Sequence, residues 1–165
     1  MNIARIANHL VSGSAARRLF PASALDRIQE TIADGELRHN GQVCFAIEGA
    51  LPLSQLVRGR GARERAHEAF SHLRVWDTQH NSGVLIYLLV ADHAIEIVAD
   101  RGIAARVPES EWAEICAAMR ERFAAGDFVG GAIDAIEKVT VLLAAHFPSD
   151  GSTKTNELPD RPVLL

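Results

Sequence analysis

The chain has 165 residues, 48% of them hydrophobic and 23% charged, and a net charge of −4. That length suits one domain, and the composition excludes a disordered chain. The negative balance argues against attraction of the whole molecule to nucleic acid or anionic lipid.

In chain order, Ile3, Ile6, Ala7, Leu10 and Val11 recur at helical spacing and predict an amphipathic helix over 2–12, stopped by Gly13, that needs a surface to lie on. Arg5 and His9 interrupt its apolar residues, so this opening does not read as a secretory leader. After Phe20-Pro21, Ser23 is expected to cap a second helix that buries Leu25, Ile28 and Ile32 and ends at Gly35. GQVCFAIEGA then reads as a strand covered on both faces.

Residues 53–74 run from a loop into a helix carrying Ala62, Ala66, Ala69, Phe70 and Leu73 on one side. The segment from Gly83 to Ala91 is apolar throughout, the pattern of a central strand, and is far short of the roughly 20 residues that span a bilayer. Asp92-His93 turns it back into AIEIVAD, an antiparallel hairpin partner. Pro108 and Ser110 open a helix with Trp112, Ile115, Cys116, Met119 and Phe123 on one face, closing at Gly126. A last helix from about Gly131 turns Ile133, Ile136, Thr140, Leu143 and Phe147 inward and ends at Pro148. The predicted organisation is N-terminal helices over 1–38, an α/β core over 39–148 and a tail over 149–165, with 156–160 lying extended on the domain, Leu158 in an apolar notch and the final three residues less ordered.

The connection from the first to the second strand holds a helix and is long enough for a right-handed parallel crossover. The expected fold class is therefore α/β, a small mixed β-sheet with helices on both faces. In that topology Asp77, His80 and Asn81 enter the second strand where Asp100 and Arg101 leave the third, and His39 and Asn40 enter the first strand at the same end. Two readings of this group stand. Asp100 and Asn81 serve as a helix cap and a turn, or Asp77, Asn81 and Asp100 offer oxygen donors to a divalent cation. The donor set favours calcium, magnesium or manganese over zinc unless His80 joins it.

The opposite end carries Glu48 and Asp92-His93, expected to be structural, although open α/β sheets bind ligands beyond strand carboxyl ends. The arginine-rich stretch Arg58 to Arg65 reads as a solvated loop with Arg63 and Arg65 on the outer helix face, the alternative being a phosphate cradle. Cys44 and Cys116 form no C-x-x-C pair and sit in apolar runs, so buried thiols in a reducing compartment are expected, and neither is placed as a nucleophile. The expected localisation is cytoplasmic.

Arg65-Ala66, Phe70, Leu73 to Thr78, Asn81 to Tyr87 and Ile95 to Ile103, followed by Trp112, Met119, Phe123, Gly126, Gly130, Ile133, Ile136, Phe147-Pro148 and Asn156 to Asp160, together resemble the TPM-domain family of thylakoid acid phosphatase-like and related bacterial proteins. The resemblance covers most of residues 40–160 and is similar to a compact bacterial form of the family. It implies an α/β/α sandwich, and it associates phosphatase activity with plant members and divalent-cation binding with the fold. Where longer relatives have a glycine-rich turn after the third strand, this chain has Ala99-Asp100-Arg101-Gly102.

Two function classes follow. One is a divalent-metal-dependent phosphohydrolase of the acid-phosphatase type, with Asp77 and Asp100 holding the metal and Asn81 completing the shell. The other is a non-catalytic TPM-domain binding module that takes calcium or magnesium at those residues and docks a protein partner at a membrane or envelope. The absence of a paired general base or nucleophile favours the module.

Overall fold

The structure, a computed structural model, describes residues 3–151 and 155–165. Two short helices, α1 (Ile3–Ser12) and α2 (Ala15–Leu19), precede α3 (Ala22–Glu36). The first strand, β1 (Gln42–Glu48), leads through the five-residue α4 (Leu53–Val57) to α5 (Ala62–His72). The hairpin of β2 (Gly83–Leu89) and β3 (Ala94–Ala99) follows, then α6 (Arg101–Ala104), α7 (Glu109–Ala124), α8 (Phe128–His146) and a fourth strand, β4 (Val163–Leu164).

Among the described residues the strands form one mixed sheet in the order β3-β2-β1-β4. β1 runs parallel to β2, with Gln42 opposite Gly83 and Glu48 opposite Leu89, and β2 runs antiparallel to β3. The long crossover through α4 and α5 is what a parallel neighbour demands, and the tight turn at Val90–Asp92 is what an antiparallel one allows. His93 closes that turn in the left-handed region, at φ 50°.

Helices cover both faces of the sheet, as the α/β expectation has it. Val43, Phe45, Ile47, Val84, Ile86 and Leu88 point to the layer of α3, α7 and α8. The alternate residues Cys44, Ala46, Leu85, Tyr87 and Leu89 point to Ala66 and Ala69 of α5 and Leu56 of α4. Every residue of β1 and β2 is buried, which explains why both read as continuous apolar runs rather than alternating ones.

Four local expectations are corrected. Ser23 lies inside α3; Pro21 precedes the helix and its carbonyl accepts the N–H groups of Ala24 and Leu25, while its ring holds φ at −64°. The last helix starts three residues earlier than Gly131, because the Asp127 carboxylate accepts the Gly130 N–H at 2.9 Å and caps it. The chain end is not loose: Val163 and Leu164 pair in parallel with Ala46 and Ile47. The first helix does lie on the domain, but Ile3, Leu10 and Val11 of its apolar set face solvent.

The 156–160 segment does lie against the domain. Leu158 is buried, and the Oε1 of the fully buried Gln42 accepts the N–H groups of Glu157 and Leu158 at 2.8 and 3.0 Å. The Nε2 of Gln42 donates to Glu36 at 3.0 Å, so one amide ties the tail, β1 and α3 together. Deleting residues 149–165 strips the Gln42 Oε1 of the Glu157 and Leu158 N–H groups, exposes the Leu158 notch and uncovers the edge of β1. The deletion is expected to lower the thermal midpoint by roughly 5 °C or more, since about 1 kcal/mol shifts a domain of this size by 2–4 °C. An unchanged midpoint in a calorimetric scan would contradict this docking.

Candidate functional site

At the end of the sheet where β1 and β2 begin, Asp100 follows β3 and caps α6, its Oδ1 accepting the Arg101 N–H at 2.7 Å. Its Oδ2 is buried and has no hydrogen-bond partner among the described residues. Asn81 sits in the left-handed region at φ 50°, which asparagine tolerates because its short amide bonds locally. The Asn81 Oδ1 accepts from the Arg101 guanidinium at 3.1 Å, and its backbone carbonyl accepts the Gly102 N–H at 3.1 Å. This approach requires glycine: a Cβ on residue 102 would stand 2.6 Å from the Asn81 carbonyl oxygen and 2.9 Å from that of His80.

Asn81 and Asp100 are thus brought together around Arg101 and Gly102, as the hairpin topology predicts. Asp77 lies exposed in the turn its N–H closes onto the Arg74 carbonyl. His80 is exposed as well, whereas His39 is fully buried in a bridge to Pro148. Asn40 turns its amide to the Pro148 carbonyl. Among the described residues no three histidines, cysteines, aspartates or glutamates gather closely enough to hold a metal.

The opposite end holds a polar network that the sequence conceals. Glu48, 4% exposed, accepts from the Arg65 guanidinium at 2.8 and 3.1 Å and from the Tyr87 hydroxyl at 2.5 Å. Burial, reinforced by the Glu48 hydrogen bond, pushes the Tyr87 hydroxyl far above its usual range, and the Glu48 bond holds the Arg65 guanidinium still more firmly protonated. Next to it, Asp92 accepts from Arg5 at 2.7 Å and from the His9 Nε2 at 2.9 Å. Burial raises the Asp92 carboxyl, but the bonds from Arg5 and His9 outweigh it and the net direction is downward. The His9 Nδ1 accepts the Leu51 N–H at 2.9 Å, so the proton of the neutral ring belongs on Nε2.

Arg65 is accordingly not on an outer face; it turns under α5 to Glu48. Arg63 also finds protein acceptors, donating to the Ile97 carbonyl at 2.7 Å. Glu48 does not stand alone, although Asp92 does occupy the hairpin turn as expected. The one signal for the Glu48 group was Tyr87, the single tyrosine of the chain, placed inside an apolar strand where a buried hydroxyl needs an acceptor. Both thiols are buried and free. Burial pushes Cys44 up to about 12 and Cys116 up to about 11, so neither is a ready nucleophile.

A family model described as TPM domain matches residues 14–142. Among solved structures, the chain is similar to the NMR structure of BA42 protein from the psychrophilic bacterium Bizionia argentinensis. The two share 28% identity at a TM-score of 0.76 over 88% of this chain and 95% of that one. No curated protein matches.

Proposed function

The chain belongs to the TPM-domain family, and from that premise we propose that it is a non-catalytic binding module that takes a divalent cation at Asp77, Asn81 and Asp100. One observation carries the reading: the buried Asp100 Oδ2, without a hydrogen-bond partner among the described residues, at a place where the Asn81 amide oxygen is also at hand. A buried carboxylate oxygen left unpaired costs free energy that a cation would offset. The donors are all oxygen, which suits calcium or magnesium. The Arg101 guanidinium holds the Asn81 oxygen, and because its side chain is exposed a cation can displace it. A protein partner at a membrane or envelope belongs to the same reading.

Titrating calcium, then magnesium, while following backbone amide resonances tests the assignment. Shifts are expected at 77–83 and 99–103, Asp100→Asn abolishes them, and Arg101→Ala strengthens binding severalfold by removing a competing positive charge. Shifts confined to Glu48 and Asp92, or none, would overturn it. Saturable hydrolysis of a phosphoester that depends on added magnesium, manganese or calcium and is lost in Asp100→Asn would replace the module by the phosphohydrolase.

A further inference from the structure

An amphipathic helix on a domain normally buries its apolar stripe and shows its polar one to water. α1 departs from this: Ile6 packs on the domain, but the rest of the arrangement is reversed. Arg5 and His9 face the domain and are clamped by Asp92, with His9 only 3% exposed, while Ile3, Leu10 and Val11 stand 76%, 73% and 75% exposed. Spacings of seven and eight residues put these three on one side of the helix.

Their surroundings extend the pattern. α1 runs beside the segment that follows β1, with the His9 ring on the Leu51 N–H and the Arg5 guanidinium on the Arg60 carbonyl. That segment exposes Leu53 and Val57, and Leu165, whose N–H donates to the Ile47 carbonyl at the same end of β1, is exposed too. Most of the large apolar side chains exposed among the described residues therefore gather at one end of the sheet.

Charge singles out the same end. Residues 1–25 contain Arg5, Arg17 and Arg18 and no carboxylate; residues 49–63 contain Arg58, Arg60 and Arg63 and no carboxylate. The nearby acids Glu48, Asp92 and Glu68 are already paired with Arg65, Arg5 and Arg60. Arg17, Arg18 and Arg58 are exposed. The net negative charge resides elsewhere, as between α7 and α8, where Glu111, Glu114, Asp134 and Glu137 line one groove with a single lysine. The whole-molecule charge is thus a poor guide to this end.

We propose that this end docks on an anionic lipid surface, with α1 lying in the interface, Ile3, Leu10 and Val11 immersed, and Arg17, Arg18 and Arg58 on the headgroup phosphates. An outward apolar helix face bordered by cations and free of carboxylates matches acyl chains beneath a layer of phosphates. α1 lies ahead of the 14–142 match, whereas Arg17, Arg18 and Arg58 fall within it. The proposal extends the binding-module reading and does not depend on the cation.

The test is co-sedimentation of the full chain, in EDTA, with vesicles of phosphatidylcholine plus phosphatidylserine and with vesicles of phosphatidylcholine alone. Binding is expected only to the former, weakening as salt is added. Leu10→Glu combined with Val11→Glu should lower the partition coefficient at least about tenfold, and Arg17→Glu combined with Arg18→Glu by a similar factor, each basic side chain near such a surface being worth about fivefold. All four positions are exposed, so unchanged thermal midpoints certify the fold of both variants. Wild-type chain that stays in the supernatant with both vesicle types, or variants that sediment like wild type, overturns the proposal. So does a wild-type dimer without lipid that Leu10→Glu converts to monomer, which would assign the face to a second copy. Because EDTA is present throughout, a failed cation titration leaves a positive vesicle result standing.

Discussion

Glu48→Ala is expected to destabilise the fold by roughly 3–5 kcal/mol, the range for breaking a buried charge pair from one side. The variant leaves the Arg65 guanidinium, 20% exposed, and the fully buried Tyr87 hydroxyl facing the space the carboxylate held. Among the described residues Arg65 keeps one carboxylate, the half-exposed Glu68 at 3.3 Å. Glu48→Gln separates charge from shape, since it retains an acceptor for Tyr87 but leaves Arg65 uncompensated, and should fall between wild type and the alanine variant. Urea denaturation of the three proteins checks the order. A Glu48→Ala variant as stable as wild type would mean that desolvation of the charges already cancels their attraction.

Trp112→Ala should cost a similar amount, roughly 3–5 kcal/mol, by a different route. Trp112 is 4% exposed in the layer between α7 and the sheet, with Ile115 and Met119 on the same face. Removing the indole leaves a cavity that the rigid β3 and α8 on either side cannot close. The loss should appear in the denaturation midpoint with the slope unchanged. An unchanged midpoint would place the side chain at the surface in solution.

The contrast between these two residues explains what a linear reading recovers. Trp112 announces its role through spacing, because helical periodicity is local. So do the two apolar strands, their parallel and antiparallel relations, and the pairing of Asn81 with the Asp100 turn, which follow from connection length. Glu48 meets Arg65 only after a helix has crossed the sheet, and nothing in either residue's neighbourhood announces the other. The first helix is the instructive failure. Its period is right, yet the period does not say which face docks, and a guanidinium and an imidazole aimed at Asp92 outweigh three aliphatic side chains. β4 offers two residues, too short for any pattern, and acquires strand geometry solely from the free edge of β1.

That last strand has a kinetic consequence. Ala46 and Val163 lie 117 residues apart in the chain, and their pairing closes a loop of that length for only two residue pairs. Contacts so distant and so few condense late in folding and open early in native-state fluctuation. Each opening bares the backbone of a fully buried, strongly apolar strand, and a bare parallel edge of that kind is a template for recruiting a foreign strand. The tie from Gln42 to Glu157 and Leu158 holds the returning segment a few residues away, so a detached β4 is a tethered competitor at high effective concentration, and exchange of this edge with another chain is suppressed by proximity rather than by the strength of the pairing.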